Sequence, residues 1–248
     1  MRLLSYNIHK GIGGRDRRCR LERVIDVIEA QNPDILCLQE VAHNSHRSHY
    51  HDQPQLLADY FKATAQLFQL NVNFKSGGYG NLILSRWPFA TKHQISLRLN
   101  SKKPRGAQIV VVETPEGALH LVNFHLGLSH PERHWQIGHL LNHQLFRESH
   151  MLPTLIVGDY NDWRNQLHRG TLHECGFCQI TTPISRFRSF PAYMALSSLD
   201  KAFFRGEVHI RQAHVVHSAA ARSASDHLPL VIDFHLDPAV CNGSPANL

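Results

Sequence analysis

Short apolar runs recur along the chain, most of them closed by a polar residue. They are RLLSYNI at 2–8, DILCLQE at 34–40, NLILS at 81–85, QIVVVET at 108–114, ALHLVNF at 118–124, TLIVGDY at 154–160, LDKAFF at 199–204 and LPLVIDF at 228–234. Their length and their content of Val, Ile, Leu and Phe predict β-strands. QIVVVET and ALHLVNF, joined by Pro115, Glu116 and Gly117, predict a hairpin, so the sheet is at least partly antiparallel. Leu21, Val24, Ile25 and Ile28 follow the i, i+3, i+4, i+7 stripe of an amphipathic helix that stops before Asn32 and Pro33. A second helix is expected after the hairpin, with Ser129 and Glu132 at capping-box spacing and Ile137, Leu140, Leu141 and Leu145 along its buried side. A third is expected around Leu56, Leu57, Tyr60 and Phe61. Many strands, few helices and a hairpin imply a layered α/β (α+β) domain.

At 248 residues with 42% hydrophobic content, the chain can bury one sizeable core. No interior linker, low-complexity run or repeat divides it, so one domain over 1–236 is expected, followed by a loose tail at 237–248. No window of 18 apolar residues is present, and the apolar opening is too short for a signal peptide, so the expected location is cytoplasmic. The five cysteines, odd in number and widely spaced, do not form a secreted disulfide framework. Cys175 and Cys178 make one CxxC near His173, which would hold zinc only with ligands from far away; small thiols are the plainer reading.

The formal charge is +6, with basic clusters at 14–20, 101–106 and 186–188. Such a surface favours polyanions without choosing between nucleic acid and anionic headgroups, and a solvated charged face fits it equally well.

The polar residues that close the apolar runs carry the chemistry. Asn7 follows RLLSY, Glu40 follows ILCLQ, His125 follows HLVNF, and Asp159 and Asn161 follow TLIVG. Taken singly, each reads as a turn residue, a surface charge or a satisfied core histidine. Together, if the strand ends converge, they furnish one polar cleft, and SASDHLPL at 223–230 adds Asp226 and His227.

The motifs SYNIHKG, CLQEV, YGNLILSR, PRGA, NFHLGL, GDYNDW, RSFP, SLDKAFF and SDHLP, in this order, resemble those of the endonuclease/exonuclease/phosphatase superfamily. The resemblance runs from about residue 2 to residue 235; LQE, GDxN and SDH together are its most specific part. It implies a four-layered α/β sandwich, two β-sheets face to face with helices outside, and metal-dependent hydrolysis of phosphate esters. By the same resemblance Glu40, with Asn7 and Asp226, would hold Mg2+, for which Mn2+ could substitute. Asp159 and Asn161 would position the attacking water and the scissile phosphate. His125 would contact phosphate, Asp200 and His227 would form an Asp-His pair, and Asn81 and Arg105 would contact phosphate oxygens. Oxygen donors without thiolate suit a hard ion, and three carboxylates in one cleft would repel a phosphodiester unless a cation were present. LDKAFF keeps the Asp but departs from the common Arg-Ile-Asp-Tyr form around Asp200. The expected substrate is a phosphodiester, nucleic acid first, cleaved by a monomer; a phospholipid or sugar-phosphate headgroup is the alternative. A non-catalytic binding protein on the same fold is disfavoured, because none of these residues has been lost. His227 as general base and His227 as transition-state stabiliser remain open at this point.

Overall fold

The computed structural model describes residues 1–237 and consists of two six-stranded sheets with helices on their outer faces. The first sheet contains β1 (Arg2–Asn7), β2 (Ile35–His43), β3 (Ala65–Asn73), β4 (Gly78–Ser85), β11 (Val208–Val215) and β12 (Leu230–Leu236), in the order β11-β12-β1-β2-β4-β3. The second contains β5 (Phe89–Ser96), β6 (Gly106–Thr114), β7 (Gly117–His125), β8 (Thr154–Asp159), β9 (Cys178–Gln179) and β10 (Asp200–Arg205), in the order β5-β6-β7-β8-β10-β9. The α/β sandwich is thus observed, and β6 and β7 form the expected antiparallel hairpin. β1 and β2 run parallel, as do β7 and β8. Most of the tail expected at 237–248, including Cys241, lies outside the described residues.

Strand periodicity builds the layers. In β7, Leu119 and Leu121 join the core between the sheets, while Val122 and Phe124 join a second core under the helices. In β8, Leu155 and Val157 face inward and Ile156 faces out. Continuing that alternation to the strand ends turns Asn123, His125 and Asp159 toward the gap between the sheets. Below the site the gap is stitched by buried amides: Gln39 Nε2 donates to Asn123 Oδ1 at 2.8 Å, and Asn123 Nδ2 to Gln108 Oε1 at 2.9 Å.

Helix α1 (Leu21–Glu29) buries Leu21, Val24, Val27 and Ile28, and α6 (Ala219–Ala224) buries Ala221 and Ala224 in the same core. Helix α2 (Gln53–Tyr60), the third expected helix, is capped by Asp52 and buries Leu57 and Ala58, while Leu56 and Tyr60 are exposed. Over the second sheet, α3 (His130–Asn142) buries Ile137, Leu140 and Leu141. The chain turns extended at His143, so Leu145 falls in a separate helix, α4 (Gln144–Arg147). Ser129 occupies the α3 cap but its side chain makes no capping bond; the expected capping box is not formed, and the Glu132 carboxyl packs against Gly127 instead. A short helix α5 (Thr171–Glu174) completes this layer.

Candidate active site

Both parallel strand pairs end at the same rim. Asn7 closes β1, His125 closes β7, Asp159 closes β8, and Asp200 opens β10 directly across from Asp159. The β8 end needs Gly158: its φ is +146°, and a Cβ there would meet the Phe124 carbonyl oxygen at 2.1 Å. Glu40 is the exception to the strand-end expectation, since β2 runs on to His43. In a regular strand Glu40 would point away from Gln39. A bulge against β4 lies between Leu38 and Val41, and Glu40 adopts φ 55°, so its carboxylate is re-aimed to 4.0 Å from His125 Nδ1.

Asp159 is the hub. Its Oδ2 accepts from Asn7 Nδ2 at 3.0 Å, and its Oδ1 from the Asn161 backbone N–H at 3.0 Å. His125 Nε2 lies 3.4 Å and His227 Nε2 3.7 Å from the same Oδ2. His227 Nδ1 donates to Asp200 Oδ2 at 2.8 Å, and Ser189 Oγ donates to that oxygen too. Phe190 packs on the His227 ring at 4.8 Å, with Trp163 edge-on to Phe190. Asn161 turns through φ 49° and commits Nδ2 to the Leu126 carbonyl at 2.9 Å.

The charge states follow from these contacts. Burial pushes Asp159 up to about 6; the Asp200 charge adds to that, while His227 and the bonds from Asn161 and Asn7 oppose it. Burial pulls His227 down, but the charges of Asp200 and Asp159 and the Asp200 hydrogen bond outweigh it and raise it to about 10. Burial and the Arg105 charge hold His125 well below the usual imidazole range. Burial also works against an ionised Glu40, yet Lys10 and His125 overcome it and hold the carboxyl well below the ordinary carboxylate range. At neutral pH the site therefore holds a charged His227, a neutral His125 and an ionised Glu40.

The endonuclease/exonuclease/phosphatase family model matches residues 4–227, most of the chain. The chain belongs to this family. It is 28% identical to the uncharacterized protein YbhP of Escherichia coli over 250 residues, covering 95% of this chain and 96% of that protein. The endonuclease/exonuclease/phosphatase crystal structure from Beutenbergia cavernae superposes with a TM-score of 0.77 at 22% identity, covering 96% of this chain and 72% of that one. A mannosyl-6-phosphatase of Bacteroides thetaiotaomicron superposes with a TM-score of 0.72 at 15% identity, covering 94% and 99%. Family membership makes the chain one of a group of phosphoester hydrolases.

The endonuclease/exonuclease/phosphatase motifs converge as strand order requires, and around them the structure places further residues, of which Lys10, His9 and Tyr79 were passed over in the sequence reading. Lys10, buried and at φ 63°, sets its ammonium on the Glu40 carboxylate and 4.7 Å above the Tyr79 ring; Lys103 lies 5.3 Å from the same ring. His9 Nδ1 stands 3.7 Å from Asp226 Oδ2. Glu40, Asp226, Lys10, Lys103 and Tyr79 line a cleft of about 610 Å3. Arg105 is buried with Nε unpartnered. Asn81 is buried within the amide network and donates to the Gly106 carbonyl at 2.9 Å, one residue from Arg105. Behind GDYND, the fully buried Lys201 donates to the Asp162 carbonyl and lies 3.5 Å from Asp162 Oδ2.

Two groups of donors bear on a cation. Asp159, Asp200 and His227 have donor atoms within 4.8 Å of one another. His227 is charged and spends Nδ1 on Asp200, so this trio is a hydrogen-bonded ion network, and a cation would first have to strip its proton. Glu40 and Asp226 instead offer carboxylate oxygens to the open cleft, a donor set suited to a hard ion. Lys10 supplies Glu40 with a positive charge. Cys175 and Cys178 are exposed and belong to neither group of donors found among the described residues.

Proposed function

We propose that the protein is a magnesium-dependent phosphodiesterase acting first on nucleic acid, as a cytoplasmic monomer whose catalytic unit spans residues 1–236. The observation that carries this reading is the convergence of a charged His227, a neutral His125 and Asn7 on one oxygen of Asp159. Asp159 takes the proton of the attacking water, since His227 is already protonated at neutral pH and cannot act first as a base. Asn161, its amide nitrogen spent on Leu126, is left with its side-chain oxygen to orient that water. His227 stays charged, its tautomer fixed by Asp200, and donates toward the phosphate oxygens as negative charge develops. His125 and Arg105 contact those oxygens, and Asn81 holds Arg105 by bonding Gly106. Glu40 and Asp226, assisted by Asn7, would hold Mg2+, or Mn2+ in its place. Such an ion would supply positive charge against the phosphate and a fixed point for orienting the ester.

Nucleic acid is favoured by the charge of +6 and by Lys10, Lys103 and Arg47 along the cleft, with Tyr79 and Phe74 between them. A second reading, a phospholipid or sugar-phosphate headgroup, draws on exposed Trp163, Tyr193, Met194 and Leu196 near Phe190 and on the mannosyl-6-phosphatase likeness. Binding of short duplex and single-stranded DNA to Asp159→Asn, with Ca2+ replacing Mg2+ at several salt concentrations, separates them. Affinity should fall by roughly one power of salt per phosphate contact. A flat response together with turnover of a headgroup substrate selects the second reading.

A further inference from the structure

The edge of the first sheet carries a cluster of metal-binding side chains that the phosphoesterase chemistry does not use. His209 on β11 and His235 on β12 are direct cross-strand partners, so both rings rise from one face of the sheet. The rings stack with centroids 5.0 Å apart and planes inclined by 17°. Asp237, just beyond β12, accepts from His209 Nε2 at 2.8 Å, and one donor atom from each of the three residues lies within 4.8 Å of the others. Asp200, Asp226 and His227 sit near the other end of β12. His235 is five residues along that strand from Leu230, roughly 17 Å at the usual rise per residue.

We propose that His209, His235 and Asp237 form a second metal site, for a borderline divalent cation of the Zn2+ type, separate from the catalytic cleft. Two imidazoles and one carboxylate make a nitrogen-rich set that suits zinc, copper or nickel, whereas the oxygen donors of Glu40 and Asp226 suit magnesium. Strand register fixes the two imidazoles before any ion arrives, because a one-residue slip would send one ring to the opposite face. Three protein ligands leave room for water in the remaining coordination position. A bound ion would tie the residue that follows β12 to the sheet's outermost strand. Arg211 works against it: its Nε donates to His235 Nδ1 at 3.2 Å, placing a positive charge beside the ligands and occupying one ring nitrogen.

Zinc titration of the full chain in excess magnesium, followed by calorimetry and by thermal unfolding, tests the site. Wild type should bind one more zinc ion than His209→Ala or His235→Ala, and zinc should raise its Tm more than theirs. Glu40→Gln, which alters the catalytic cleft, should keep the additional ion. Arg211→Ala should bind zinc more tightly than wild type. Equal stoichiometry in wild type and both histidine variants overturns the proposal, as does loss of the additional ion in Glu40→Gln alone. All four substitutions lie on strands with partners that remain, and far-ultraviolet circular dichroism confirms that each variant is folded before titration.

Discussion

Asn7 on the first sheet donates to Asp159 Oδ2 on the second at 3.0 Å, joining the two halves of the sandwich at the atom on which His125 and His227 also converge. Because that bond favours ionised Asp159, removing it raises the carboxyl further above its position near 6. Asn7→Leu should therefore move the acid limb of the pH–rate profile to higher pH and lower the rate at neutrality. An unmoved limb would detach Asp159 from the titration that governs activity.

Lys10 answers the Glu40 charge when no metal is bound. Lys10→Met leaves that carboxylate buried without its partner, at a cost on the order of 3 kcal/mol to the metal-free protein. The incoming ion then no longer displaces an ammonium. Calorimetry should show tighter Mg2+ or Mn2+ binding than in wild type, and magnesium should raise the variant's Tm by a larger amount. Weaker binding would make Lys10 a helper of the metal instead of its stand-in.

His227 owes its raised pKa, against the pull of burial, to the charges of Asp200 and Asp159. Its folded value lies above the unfolded one of 6.5, so the associated stability is fully present below pH 6.5 and is lost as pH rises through about 10. Asp200→Asn should bring the imidazole titration, followed by NMR, down toward neutrality. It should also flatten the decline in stability across that window. A titration still near 10 in the variant would assign the shift to another group.

The inter-sheet amides are a structural prediction independent of catalysis. Gln39, Gln108 and Asn123 are fully buried and hydrogen-bonded in a row, with only Gln39 Oε1 of the three side chains left without a partner. Asn123→Leu leaves Gln108 Oε1 buried without its donor, while Gln39 Nε2 keeps the Cys37 carbonyl at 3.0 Å, and denaturant unfolding should register a loss of about 2 kcal/mol. A neutral substitution would show that the network relaxes onto other partners.

The central strands and the site motifs were legible because each couples a buried apolar run to a polar end. Edge strands were not. β5 is mostly exposed and mostly polar, with Ile95 its one buried residue, and β11 carries a bulge between Ile210 and Gln212. β3 inverts the expected pattern: Gln69 is buried while Leu70 is exposed, so polarity does not report which face is inside. Asp200, Asp226 and His227 could be named from their motifs. Lys10 could not, since a lysine in NIHKG reads as surface until β2, thirty residues on, brings Glu40 beneath it. The turn of Glu40 into the gap depends on a bulge and a left-handed backbone that neither residue type announces.

Hydrolysis itself is the most direct test of a magnesium-dependent phosphodiesterase built around Asp159. Product release would be followed from plasmid DNA, RNA, a chromogenic phosphodiester, phospholipids and inositol phosphates, with magnesium and with EDTA, for wild type and Asp159→Asn side by side. The account predicts that wild type turns over at least one of these with magnesium, that EDTA abolishes the reaction, and that Asp159→Asn is slower by ~100-fold or more. Turnover of none of them, turnover indifferent to EDTA, or turnover at the wild-type rate in Asp159→Asn would contradict it.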